Sequence, residues 1–231
     1  MSPSPLTASP VTRGERVTHD RYAAHGVEGE YEPGSRRRVL RNLIGVRSVR
    51  VMQRLETEAL LAATERAIAE TREDQRFTAG DLRRWHRDWL GGLYAWAGEY
   101  RQVNLTKGEF MFAAAEQIPR LMDELERGPL RELTPCASAD AGAMAHAIGV
   151  VHAELVLVHP FREGNGRLAR LLATLMALQA GLPPLDFGGV RSAARTRYFA
   201  AIQAAMGRDY EPIVATFRAV IARTLRSSSG R

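Results

Sequence analysis

Apolar positions recur with a helical period along most of the chain. A helical period begins near Val49: Val51, Leu55, Ala59 and Ala62-Ala63 share one face, with Arg and Glu opposite, which predicts an amphipathic helix. Thr78 stands three residues before Asp81 and predicts a capped start for a second helix ending between Leu90 and Leu93. Trp85, Trp89, Leu93 and Trp96 follow at helical steps, and this stripe is expected to pack in a core rather than to stack on bases. Further helical stretches are expected over 115–127, 139–158, 166–180, 192–206 and 211–225, with Gly181 and Pro183-Pro184 as a stop signal. Between Tyr100 and Phe112 the period shortens toward two around a Lys107-Gly108 turn, which predicts a short hairpin. The pattern gives a mainly α fold, a helical bundle with one β-hairpin.

The two ends read differently. The first dozen residues are rich in Ser, Pro and Thr without apolar periodicity, and 13–47 is broken by Gly26, Gly29, Pro33-Gly34 and Gly45. Residues 1–30 are therefore expected to be a disordered or loop-rich leader, 31–226 the domain with its N-terminal helical extension, and 227–231 a disordered tail. Composition does not show whether the leader carries a secretion signal.

Composition removes several classes. One cysteine, Cys136, excludes an intramolecular disulfide. No charged start leads into an apolar run, so no ordinary secretory signal is expected. The most apolar stretches, 143–158 and 168–185, are broken by His152, Glu154, Arg170 and Pro183, and a membrane span is not expected. The net charge of +6 is almost all arginine spread along the chain, with Arg36-Arg37-Arg38 the only triplet. This reads as arginine usage rather than a nucleic-acid patch. Within it Lys107 is the only lysine, a flexible point charge where planar forks are the rule.

The chemistry concentrates in His159-Pro160-Phe161-Arg162-Glu163-Gly164-Asn165-Gly166-Arg167-Leu168-Ala169-Arg170. Pro160 pushes the preceding residue out of helical dihedrals, so an apolar helix ends there, and another starts near Gly166. Gly164 and Gly166 let successive amides turn inward at a helix N-terminus, an anion site. Asn165 is placed to cap that helix or to offer its amide to an oxyanion. Arg167 and Arg170 share a helix face and can grip one anion. Such a cluster suits a polyphosphate. Glu163 has the wrong charge for phosphate and the right one for Mg²⁺ held between carboxylate and phosphates. His159 enters the same loop as the natural general base. Each feature alone has an ordinary structural reading; their combination in twelve residues does not.

This segment resembles the motif of the Fic family, His-x-Phe-x-Asp/Glu-Gly-Asn-Gly-Arg-x-x-Arg, at every defined position. A weaker resemblance runs from about Leu40 to Phe217 and includes Tyr94-Ala95-Trp96-Ala97-Gly98-Glu99-Tyr100-Arg101 and Asn104-Leu105-Thr106-Lys107-Gly108, which resembles the family's flap. The resemblance implies a helical domain with a hairpin flap over an ATP site, and transfer of AMP from ATP to a Ser, Thr or Tyr hydroxyl of a target protein. It implies that His159 deprotonates the hydroxyl, Glu163 holds Mg²⁺, Asn165 contacts the α-phosphate, and Gly164, Gly166 and Arg167 cradle the outer phosphates. Arg170 then reaches the γ-phosphate, and Phe161 anchors the loop. The flap residues Lys107, Gly108 and Phe112 are implied to dock a target strand, and Tyr198 to border the adenine.

Competing readings are weaker. Glycine at 166 favours AMP transfer over the kinase-like relative that has lysine there; phosphocholine transfer stays open. Asp186-Phe187-Gly188 lacks the other kinase motifs and reads as a connector. His146, His152 and His159 are poorly spaced for joint zinc ligation. A non-catalytic basic protein that binds nucleic acid needs neither His159 nor Glu163. Fic domains are commonly restrained by a Ser/Thr-x-x-x-Glu-Gly/Asn helix whose glutamate pairs with the second motif arginine. No Ser or Thr here has Glu four residues later, and Glu56, Glu58 and Glu65 do not fit the pattern. The restraint is therefore expected from a separate antitoxin-like partner, in a bacterial cytoplasmic enzyme; an unrestrained secreted effector is the alternative.

Overall fold

The computed structural model describes residues 23–24, 27–108, 110–138, 140–189 and 193–228. Most of the leader lies outside these residues, and with it any secretion signal.

The helices fall where the periodicity placed them. α1 (Val49–Glu70) starts at Ser48, whose side chain accepts from Val51 N. α2 (Ala79–Leu90) carries a complete capping box, Thr78 Oγ1 taking Asp81 N at 3.1 Å and Asp81 Oδ2 taking Thr78 N at 3.0 Å. α3 (Ile118–Leu125) runs through a π-helical turn, Glu126–Leu130, into the single-turn α4 (Arg131–Leu133). α5 (Ala141–Val158), α6 (Asn165–Gln179), α7 (Ala193–Ala204) and α8 (Glu211–Ser228) complete the set. α8 reaches Ser228, so the start of the expected tail is helical.

α5 is apolar nearly all round, as a helix enclosed by protein should be. By length and composition it could cross a membrane, yet 67% of it is buried, against α6 and α8 above all. Gly149 permits that closeness, because a Cβ there would stand 3.3 Å from the Val214 backbone. A second apolar cluster joins α1 to α2 through Met52, Ala63, Trp89, Leu90 and Leu93. Trp89 Nε1 donates to the Glu56 carbonyl at 2.8 Å and locks the pair. The tryptophan stripe is thus largely core, as expected.

The hairpin is the middle and edge of a three-stranded antiparallel sheet in the order β1 (Ala23–Ala24), β2 (Leu105–Lys107), β3 (Phe110–Met111). Ala24 pairs with Leu105, and Thr106 with Met111. Within the stretch expected as a leader, Ala23–Ala24 pairs with β2, Glu28 Oε2 accepts from Gln102 N (3.1 Å) and the Glu28 carbonyl accepts from Arg162 Nε (2.9 Å). Backbone pairing needs no apolar pattern, so two alanines gave no signal. Beyond it lies a small hairpin, with Glu32 N donating to Val39 O (2.9 Å) and Arg41 N to Glu30 O (3.0 Å). Its tip holds Gly34, Arg36 and Arg37 at φ 80°, 56° and 57°. Only the glycine adopts that region without strain.

Candidate active site

The end of α5 and the start of α6 face each other across residues 159–164. His159 caps α5 in the left-handed conformation, φ 51°, and is buried. Its Nδ1 lies 3.1 Å from the Val156 carbonyl oxygen. A carbonyl only accepts, so Nδ1 carries a proton, and it is the neutral form of the ring that presents a lone pair on Nε2. The ring stacks on Phe112 at 3.7 Å between centroids.

The loop is held from inside. Asn165 Oδ1 accepts from Phe161 N at 2.8 Å, and its Nδ2 donates to Phe161 O at 2.7 Å. The buried amide therefore fastens the loop. It does not cap α6, whose N-cap is Gly164 without a side-chain bond. This corrects the capping expectation for Asn165 and leaves one Nδ2 hydrogen for an anion. The N-terminus of α6 has no side-chain cap, an arrangement in which first-turn amides can meet an anion. Gly164 sits at φ 87°, and a Cβ there would meet Trp89 Cζ3 at 2.6 Å.

Two positioning residues had no distinct sequence signal. His86 of α2 accepts from Gly98 N on Nδ1 (2.8 Å), so its Nε2 donates to Glu163 O (3.0 Å). Its ring stacks on Phe161 at 3.9 Å. Burial drives its pKa down to about 4, so it stays neutral. Arg101 is buried and fans out to backbone carbonyls: Nε to His159 (2.8 Å), Nη1 to Val103 (2.6 Å) and Nη2 to Ala113 (2.6 Å). Its own N donates to Pro160 O at 2.9 Å. One guanidinium thus fixes the flap against the loop that carries His159. Desolvation lowers its pKa to about 10, still charged at neutral pH.

Glu163, Arg167 and Glu56 form the acidic-basic side of the site. Arg167 Nη1 donates to Glu56 Oε2 at 2.8 Å and Nη2 to Glu163 Oε1 at 3.3 Å. Its guanidinium lies over Trp89 at 4.5 Å. Glu56 Oε1 accepts from Tyr94 OH at 2.7 Å. No local pattern marks Glu56; only the packing of α1 on α6 brings it to the motif. Glu163 Oε1 also takes Gly164 N at 2.9 Å.

A cavity of about 420 Å³ collects His159, Gly166, Arg170, Lys107 and Tyr198 with the apolar wall of Ile202 and Phe217. Tyr198 OH donates to His152 Nε2 (2.7 Å), because His152 Nδ1 donates to Ala169 O (3.1 Å). Burial lowers the His152 pKa to about 4. Phe187 of the Asp-Phe-Gly connector lines the same cavity, while Asp186 pairs with Arg223 Nε at 2.6 Å.

The three expected flap residues are placed differently. Side chains alternate along a strand, which turns Phe112 inward onto His159 and leaves Met111 outward, 67% exposed. Phe112 thus lines the cavity beside His159. Gly108 makes the turn at φ 61°. Lys107 reaches across to α7, its Nζ 3.4 Å from the Phe199 ring centroid. One edge of β2 is already paired with β1, so the open edge of the hairpin is that of β3.

The helical fold, the hairpin and this loop define a Fic domain. A profile described as Fic/DOC family matches residues 76–177. The chain is 30% identical over 164 residues to a probable protein adenylyltransferase, y4lH, of Sinorhizobium fredii, covering 68% of this chain and 82% of that protein. It belongs to the Fic/DOC family. It is also 29% identical to protein adenylyltransferase VbhT of Bartonella schoenbuchensis over 69% of this chain, but spans only 33% of that protein. Among solved structures, the AMPPNP-bound effector BepC of Bartonella tribocorum superposes with a TM-score of 0.63 at 21% identity, over 78% of this chain and 91% of that one. The Fic domain of Bep5 of Bartonella clarridgeiae gives 0.65 at 21%, over 84% and 94%. Both share the fold.

Proposed function

We propose that this chain transfers AMP from ATP to a Ser, Thr or Tyr hydroxyl of a target protein, with His159 as general base. The observation that carries this reading is one cavity lined by His159, whose Nδ1 is held on the Val156 carbonyl, by the Gly166 and Arg170 end of α6, and by an apolar wall with Tyr198. The target hydroxyl gives its proton to His159 Nε2 as its oxygen bonds to the α-phosphorus. The bond to the bridging oxygen breaks, and pyrophosphate leaves. Positioning and charge do most of the work in such transfers.

Gly164, Gly166, Arg167 and Arg170 receive the outer phosphates, with Asn165 holding the loop and reaching the α-phosphate through its remaining hydrogen. Tyr198 borders the base. Among the described residues no cluster of three or more His, Cys, Asp or Glu could cage a metal. The single carboxylate of Glu163 beside Arg167 suits Mg²⁺, which commonly takes one or two carboxylates plus phosphates. Glu163 would hold that ion, whose charge offsets the phosphates. The target's extended segment adds to the β3 edge, over Lys107 and Gly108. A separate antitoxin-like partner supplies the glutamate that restrains Arg170, and the enzyme works in the bacterial cytoplasm. Since solved relatives include VirB-translocated effectors, delivery into a host is the second reading; toxicity of expressed wild type, absent in His159→Ala, fits either.

The test is lysate incubated with Mg²⁺ and ATP labelled at the α- or γ-phosphate. Protein labelled from α-ATP only, by wild type and not by His159→Ala, is the expected result. Label from γ-ATP alone indicates phosphate transfer, label from CDP-choline indicates phosphocholine transfer, and a salt-sensitive DNA shift without labelling indicates a nucleic-acid binder.

A further inference from the structure

A second cleft, of about 780 Å³, opens on the α1 side of the motif. Six cationic side chains line it, Arg38, Lys107, Arg162, Arg167, Arg170 and Arg195, against two carboxylates, Glu56 and Glu163. Glu56 is already engaged by Arg167 and Tyr94. A magnesium-bound triphosphate brings a net charge of about −2. That leaves an excess of roughly two positive charges in the cleft.

The Glu28 carboxylate, close to Arg162 and Arg101, offsets part of this excess, and what remains has an address. Arg162 is only 2% exposed, yet it lines this cleft. Its Nε donates to the Glu28 carbonyl at 2.9 Å, which fixes the plane of the guanidinium. Its Nη2 is buried without a hydrogen-bond partner among the described residues. A buried, unmet donor is costly, and an entering anion would satisfy it. Arg38 lines the same cleft, held there by the strained tip at Arg36 and Arg37 and by its buried neighbour Val39. Neither arginine occupies a motif position that the nucleotide uses. Lys107 of the flap lines both cavities, so a segment lying along the flap leads from His159 to this cleft.

We propose that the Arg38 and Arg162 end of the cleft is an anion subsite for an acidic side chain of the target polypeptide, close in sequence to the hydroxyl that receives AMP. This rests on the AMP-transfer reading and names the chemistry of its target. A carboxylate fits a guanidinium fork in two parallel hydrogen bonds.

The experiment maps AMP-modified residues by mass spectrometry after lysate is incubated with ATP, Mg²⁺ and the full chain, as wild type, Arg38→Glu or Arg162→Gln. Wild type is expected to mark hydroxyls with Asp or Glu within about three residues, roughly tenfold more often than unmodified exposed hydroxyls. Arg38→Glu removes that enrichment or turns it toward Lys and Arg, and Arg162→Gln weakens it. Arg38 is exposed, so its variant carries the test if Arg162→Gln fails to fold. Modified sites without acidic neighbours, or an enrichment unchanged in Arg38→Glu, overturn the subsite alone. A wild type that places AMP on no protein overturns the transfer reading and the subsite together.

Discussion

Glu56 Oε2 and Arg167 Nη1 lie 2.8 Å apart, although 111 residues separate them in the chain. The pair joins α1 to the N-terminal end of α6, with Trp89 beneath the guanidinium and Tyr94 on the other carboxylate oxygen. Breaking a buried ion pair from one side leaves the partner uncompensated. Glu56→Ala is expected to cost about 3 kcal/mol in urea unfolding and to raise the KM for ATP, because Arg167 loses its fixed rotamer. Unchanged stability with unchanged KM would show that the pair positions nothing.

Arg101 acts through other residues. It holds the carbonyls of His159, Val103 and Ala113 on one guanidinium. Lysine offers no planar fork. Arg101→Lys is expected to lower kcat by about 10²-fold, the scale of a 1 Å misplacement, with KM for ATP nearly unchanged. An equal rise in KM would indicate general loss of structure instead.

Gly164→Ala forces a Cβ to 2.6 Å from Trp89 at φ 87°. Overpacking and a left-handed alanine together should cost about 2–4 kcal/mol. Trp89→Leu is itself destabilising, but Gly164→Ala should cost less in that background than in wild type, a coupling readable from urea midpoints of the double-mutant cycle, because the clash is gone and only the strain remains.

Two buried histidines set an acid limit. His86 and His152 have pKa values lowered to about 4, below the ordinary 6.5, by burial. The unfolded chain binds their protons first, so stability is full above about pH 6.5 and declines as pH falls toward 4. Each contributes on the order of 3 kcal/mol to that decline. His152→Gln should flatten the pH dependence of unfolding between pH 7 and 4.5. A slope equal to that of wild type would contradict the assignment.

The sequence by itself determined the helices, the hairpin and the loop. Each rests on local rules: apolar period, the Thr78–Asp81 capping box, the Lys107-Gly108 turn, and a contiguous motif between two apolar helices. Tertiary structure decided what depends on distant partners. Glu56, His86 and Arg101 reach the motif loop from elements far away in the chain, and none differs locally from an ordinary helix or loop residue. The inward turn of Phe112 follows strand alternation once the sheet's register is set. The buried amide of Asn165 became a loop brace because the Phe161 backbone lay within reach. The pairing of β1 needed only backbone groups, which carry no sequence signal.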